Sequence, residues 1–369
     1  MNIAESAFRS LETTDHRPTA IVIGTGFGGL AAAIRLGAKG YRVHMLEKLD
    51  APGGRAYVYH QDGFTFDAGP TIVTAPFLLE ELWAMCGKRF ADDVELKPMD
   101  PFFRLRFDDG RIFDYSGDKA RNIEQIKNYN EADAEGYERY LKASEERYKV
   151  GFEGLVDKPF DSLFALFKFM PQLMRLRADR SVHKLVSRYI RDPQLRMTMS
   201  FHPLLIGGNP FSVTSVYTLI SFLEQRFGVW SAMGGTGSIV KGMAGLIEGQ
   251  GGKIECNAEV EEILVDKGAV RGVRLADGRT LRSDLVVSNA DAAWTYRHLI
   301  KAEHRKRWTD RKIDRSHFSN GLFVWYFGTE GQYPDVPHHS VILGPRYKGL
   351  LDDIFKRKVL ADDFSLYLH

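Results

Sequence analysis

Ile21-Val-Ile-Gly24-Thr-Gly26-Phe-Gly28-Gly29-Leu-Ala, an alanine-rich stretch, and then Tyr41-Arg-Val-His-Met-Leu-Glu47 form the run that decides the fold. A β-branched segment, a glycine turn, an apolar stretch of helical character and a second short strand follow one another without a gap. Gly24 permits a sharp turn out of the first strand, Gly26 lets backbone approach a pyrophosphate, and Gly29 lets the helix pack closely on the strand. The helix start offers unpaired N–H groups and the positive end of a dipole to phosphates. Glu47 stands twenty-three positions beyond Gly24. There, at the tip of the second strand, a carboxylate can accept both hydroxyls of an adenosine ribose. Gly28 and Lys48, beside these residues, complete the expected first contact set.

The next segment separates a flavin dinucleotide from a nicotinamide one. Pro52-Gly53-Gly54-Arg55-Ala56 is a second glycine pair ending in arginine, a few residues beyond the acid. It can wrap back onto the same dinucleotide, with Gly54 close to it and the Arg55 guanidinium offering a planar fork to phosphate oxygens. A simple NAD domain has no need of this second clamp, so the expected cofactor is FAD.

At 369 residues the chain is long enough for two domains with their own cores. A net charge of +2 gives no electrostatic reason to expect nucleic acid. Cys86 and Cys256 stand far apart without a histidine cluster, so neither a disulfide framework nor a metal centre is expected, and a reducing cytosol fits them. The expected state of both is a buried small hydrophobe. Residues 1–18 mix charges without an apolar core and read as a disordered leader rather than a signal peptide. No run reaches the length of apolar residues that a spanning helix needs.

Beyond residue 56, the turn signals predict several elements. Gly63 to Thr71 reads as a short strand running into a Gly-Pro turn, and Asp67 is either a cap or a polar contact near the cofactor. Helical pattern covers Pro76 to Gly87, and hairpins are expected around Asp108-Asp109-Gly110 and Asp277-Gly278. Glu131 to Val150 reads as a charged surface helix. Phe160, Leu163, Phe164, Phe167, Met170 and Met174 recur at helical spacing, with Pro171 expected to kink or break the run. From Lys168 to Arg191 seven basic residues face one acid, Asp179. An interfacial helix on an anionic bilayer and a core helix with a solvated basic face both fit. His202 is either a hydrogen-bonded structural residue or a base. A helix over Ser238 to Gly249 leads into a strand carrying Val260, which either covers an adenine or is an ordinary strand valine. Asp284 to Asp291 reads as a buried strand that should rejoin the first sheet, and Leu322 to Phe327 and Phe364 to His369 read as strands.

These residues together resemble the bacterial- and fungal-type phytoene desaturases, a branch of the amine-oxidase-like flavoproteins. The motifs that carry the likeness are Gly24-Thr-Gly-Phe-Gly-Gly-Leu-Ala, Pro52-Gly-Gly-Arg-Ala-Tyr-Val-Tyr, Gly63-Phe-Thr-Phe-Asp-Ala-Gly-Pro-Thr, Leu204-Leu-Ile-Gly-Gly-Asn-Pro-Phe, Gly234-Gly-Thr-Gly and Ser288-Asn-Ala-Asp. The resemblance implies an α/β fold: a Rossmann-like, glutathione-reductase-type FAD-binding domain with an inserted β-sheet plus a helical substrate and membrane domain. The expected division is 19–75 with 230–295 for FAD, 76–150 with 296–369 for substrate, and 151–229 as the membrane-associating region. Val260 then joins the cofactor set. The implied substrate is phytoene, a long polyene hydrocarbon desaturated toward lycopene-type products by hydride transfer to flavin N5. The implied location is the cytoplasmic face of the cell membrane, reached through residues 160–191. The resemblance also implies a further C-terminal segment of the flavin site that this sequence lacks. A carotenoid isomerase, an amine oxidase or an inactive lipid-binding remnant are the alternatives. No acid, base or nucleophile stands out as catalytic by spacing.

Overall fold

The computed structural model describes residues 17–154 and 163–369, without the side chains of 163–168. The expected leader therefore lies almost wholly outside the described residues, and so do the first residues of the 160–191 region and its Phe164 and Phe167 side chains. Contacts divide the chain into two units. The first comprises 1–71, 77–95 and 232–316, and the second 72–76, 96–231 and 317–369.

In the first unit, Thr19–Ile23 forms strand β1, Phe27–Ala38 helix α1 and Arg42–Leu46 strand β2. The residues explain the elements. β-Branched Ile21, Val22 and Ile23 suit a strand buried on both faces, and all three are buried. Small and apolar residues put Leu30, Ala33 and Ile34 on one helix face, each fully buried. The strand Leu285–Ser288 adds to β1, and Lys253–Glu255 adds to β2, giving a four-stranded parallel sheet. The helix Thr236–Gly249 packs beside α1. A separate antiparallel sheet holds Val260–Asp266, Ala269–Leu275 and Thr280–Arg282, the last two joined through the expected Asp277-Gly278 turn.

The expected single strand through Val260 is two strands in two sheets. Asn257 lies between them with φ of 53°, a left-handed conformation that asparagine tolerates better than most residues, and the chain changes direction there. Two boundaries also differ from the expected division. Helix Pro76–Met85 groups, from Phe77 onward, with the first unit, where buried Trp83 lies against Gly242 of the second helix. Residues 296–316 group there as well, because Leu299 joins the cluster of Ile263, Val273 and Leu275.

The second unit is built on a mixed sheet in the order Leu366–Leu368, Ser340–Ile342, Phe103–Arg106, Ile112–Tyr115. Its hairpin is the expected one around Asp108 to Gly110. Phe103, Leu105, Phe113, Tyr115, Tyr137, Tyr140 and Phe201 are all nearly inaccessible and form its core. The helix Asp133–Tyr148, expected at the surface, is half core: Tyr137, Tyr140, Ser144 and Arg147 fall on one buried stripe while its glutamates face outward. Charge content hid an inward tyrosine row.

Leu322 to Phe327 forms no strand. Phe323 is 93% exposed and Trp325 75%. A strand needs a neighbour to take its backbone groups, and none of the described strands pairs with this run. Pro171 falls inside the helix Leu163–Arg175 and does not break it: the helix runs on to Arg175, and the next is Val182–Val186. Cys86 and Cys256 are free and half-buried rather than fully buried.

Candidate dinucleotide site

The glycine turn joins the end of β1 to α1. Gly24 has φ of 87° and donates its N–H to Leu46 O, so the turn is tied to the end of β2. A Cβ on Gly29 would lie 2.1 Å from Gly24 O, so helix and strand exit touch backbone to backbone at this position. Gly26 is the N-cap of α1; no side chain caps the helix and no acid occupies its first turn. The start of α1 thus retains N–H donors for a ligand of negative charge.

Glu47 is buried, just past β2. Its Oε2 accepts from Thr25 N (2.9 Å) and Thr25 Oγ1 (2.5 Å), and its Oε1 accepts from Leu49 N (3.0 Å). A carboxylate has about four acceptor positions, so three are in use and one is left for a sugar hydroxyl. The acid therefore also braces the turn that it was expected to complement only through a ligand.

The second glycine pair returns to the first turn. Gly53 N donates to Thr25 O (3.2 Å) and lies 3.3 Å from Thr25 Oγ1. Gly53 adopts φ of 134°, where a side chain would be strained and its Cβ would lie 2.8 Å from Ala56 O. A Cβ on Gly54 would meet Gly26 Cα at 3.0 Å. Gly26, Gly54 and Thr25 are consequently neighbours. Arg55 and Lys48 are both exposed, and Arg55 has no ion-pair partner among the described residues.

Sequence reasoning missed two members of this cluster. Asn289 N donates to Ile23 O (2.8 Å), and its side chain lies over the turn. Cβ atoms at Gly26, Gly28 and Gly29 would sit 3.0, 2.6 and 3.1 Å from it. Gly28 and Gly29 are thus required by Asn289 as well as by any ligand. The signal was the Ser288-Asn-Ala-Asp motif, which carried the family likeness without a role. Thr25, the residue inside Gly-x-Gly, was the other.

Val260 is 8% exposed and packs with Ile21, Ile23, Leu46 and Ile263. Ala258 N, two residues earlier, donates to Glu47 O. Asp67 caps a different element from the turn it belongs to: its Oδ1 accepts from Gly237 N (3.4 Å), at the start of Thr236–Gly249. In the second unit His202 Nε2 meets Glu224 Oε2 at 2.9 Å, both side chains buried, which is the hydrogen-bonded structural role. Glu255 beside β2 is held down to about 2, first by Lys253, then by Arg279 and His44.

A parallel sheet, an uncapped glycine turn and an acid-tipped second strand define a flavoprotein fold of the dinucleotide-binding kind. The family described as flavin containing amine oxidoreductase matches residues 27–353. A neurosporene-forming phytoene desaturase of Cereibacter sphaeroides is 50% identical over 363 residues, covering 98% of this chain and 70% of the relative. A lycopene-forming phytoene desaturase of Pantoea ananas is 46% identical over 353 residues, covering 96% and 72%. Among solved structures, a Pyrococcus furiosus protein gives a TM-score of 0.57 at 18% identity, over 95% of this chain and 78% of its own. A redesigned putrescine oxidase gives 0.53 at 17%, over 77% and 60%. Those two likenesses concern the fold alone. The chain belongs to the flavin-containing amine oxidoreductases, in the branch of the phytoene desaturases. Its cofactor is a flavin, and it spans about 70% of the length of the curated relatives it matches.

Proposed function

We propose that the chain is an FAD-dependent phytoene desaturase of carotenoid biosynthesis. The observation that carries this reading is 50% identity over 98% of the chain to a protein of that activity. The residues at the turn fit FAD, since an uncapped helix start, an exposed arginine without an ion-pair partner among the described residues and a carboxylate with one acceptor position left all belong to the two adjoining turns of the first unit.

In this reading Gly24, Gly26, Gly28 and Gly29 admit the pyrophosphate to the start of α1, where N–H groups and the helix dipole stabilise it. Glu47 accepts a ribose hydroxyl, Arg55 pairs with phosphate oxygen from the Gly54 side, and Lys48 adds positive charge nearby. Val260 closes the apolar side toward the adenine. Bound FAD supplies a hydride acceptor able to oxidise a CH–CH pair. The substrate dissolves only in lipid, so the chain works at a membrane surface, with the basic stretch ending at Arg191 facing anionic headgroups on the cytoplasmic side. No helix among the described residues is long and apolar enough to cross a bilayer.

The test is anaerobic addition of phytoene to the flavin-loaded protein on liposomes. Bleaching of the flavin and a product with more double bonds are expected. Flavin that stays oxidised beside unchanged phytoene overturns the reading. Glu47→Arg replaces an acceptor with a donor and should abolish flavin retention; equal flavin content in variant and parent refutes the role of Glu47.

A further inference from the structure

The second unit gathers three imidazoles that the sequence keeps apart. Strands Ser340–Ile342 and Leu366–Leu368 run antiparallel, with Ser340 opposite Leu368 and Val341 opposite Tyr367. Continued by one position, that register sets His339 across from His369. The chain bends at 338–339 before the strand begins, which brings His338 to the same place. One ring nitrogen from each of the three lies within 4.8 Å of the others. The ring centroids are 4.5 Å apart for His338 and His339, and 4.6 Å apart for His338 and His369.

His339 is the decisive member. It is fully buried, and its Nδ1 is 2.6 Å from the Tyr367 hydroxyl. Its Nε2 is buried with no hydrogen-bond partner among the described residues. A buried polar nitrogen left unpaired is costly, and native structures seldom keep one without a reason. An imidazole fixed through one nitrogen and bare at the other, within a group of three histidines, is how metal-binding histidines are held. His338 and His369 are exposed and flank the buried ring. Tetrahedral nitrogen ligands at about 2.0–2.1 Å from an ion stand roughly 3.4 Å from one another, so closure needs movements on the order of an ångström.

We propose that His338, His339 and His369 bind one divalent transition-metal ion of the zinc type, with Tyr367 as the positioning residue behind His339. Three neutral imidazoles without carboxylate or thiolate suit zinc and its neighbours rather than calcium or magnesium. Three protein ligands leave a fourth position for water. The ion clamps the end of the strand pair, joining residues thirty positions apart. The site belongs to the second unit and is independent of the flavin turn.

The experiment uses the 369-residue chain without a polyhistidine tag, stripped with chelator, then titrated with zinc sulfate by calorimetry and with cobalt chloride by visible absorption. One ion per chain is expected, with a cobalt spectrum of tetrahedral intensity and a melting temperature that rises with zinc. His338→Gln and His369→Gln replace exposed side chains, so both variants should fold as the parent does. Each should weaken zinc binding at least tenfold and abolish the zinc-dependent rise in melting temperature. Tyr367→Phe should weaken binding by about tenfold while leaving the stoichiometry at one. Absence of saturable binding by the parent overturns the proposal. So does either glutamine variant that binds zinc as the parent does.

Discussion

The turn region, residues 24 to 69, and the stretch from 317 to 369 treat their polar and apolar groups in opposite ways. In the first, Glu47 is satisfied by Thr25 and Leu49 a few residues away in space, and Gly28, Gly29, Gly53 and Gly69 each have a neighbour that forbids a side chain. In the second, Leu322, Phe323 and Trp325 face solvent, and a buried histidine keeps a bare nitrogen. The first region is specified by close contacts, most of them within itself and the rest from Asn289. The second presents apolar surface of the kind that marks contact sites.

The largest effect belongs to the first region. Gly29→Ala puts a methyl 2.1 Å from Gly24 O, where only backbone can yield, and should cost about 3 kcal/mol in urea denaturation. A loss near zero would mean that the two backbones are not in contact. Glu47→Gln leaves the Thr25 donors facing an amide and should cost about 1–3 kcal/mol, with a matching fall in retained flavin by absorbance. Unchanged stability would break the claim that this acid braces the turn.

A smaller effect is tied to pH. The folded Glu255 carboxyl is held down to about 2, below its ordinary value near 4.5. The unfolded chain therefore binds the proton first, and the stability contributed is full above about pH 4.5 and is lost as pH falls toward 2. Lys253 and Arg279 are well exposed, so the contribution is about 1 kcal/mol. Glu255→Gln should flatten the urea midpoint across that range; a parent-like slope would reassign the acid sensitivity. The smallest effect is in the second region. Phe323→Ser removes a side chain that is 93% exposed and should change stability by less than about 0.5 kcal/mol. A larger loss would show that the exposed row packs in solution and would erase the contrast.

The contrast also explains what the sequence could reveal. β1, α1 and β2 were legible because strand run, glycine turn and helix face are all set within a few residues of one another. The hairpins followed from Asp-Gly turns for the same reason. The break at Asn257 was not legible, since one left-handed asparagine inside a strand-like run leaves no periodic trace. Leu322 to Phe327 has a strand's composition, but composition cannot supply a partner. The tyrosine row of Asp133–Tyr148 was hidden by the glutamates between its members. The role of Asn289 and the Glu224 partner of His202 depend on residues brought from far along the chain or from a separate helix.

The bond from Gly53 to Thr25 has a kinetic consequence. Two turns separated by twenty-eight positions share one latch, made by the Gly53 N–H and the Thr25 carbonyl. In deuterium exchange the Gly53 amide should become labelled when the two turns part, and a ligand gripping both should slow it.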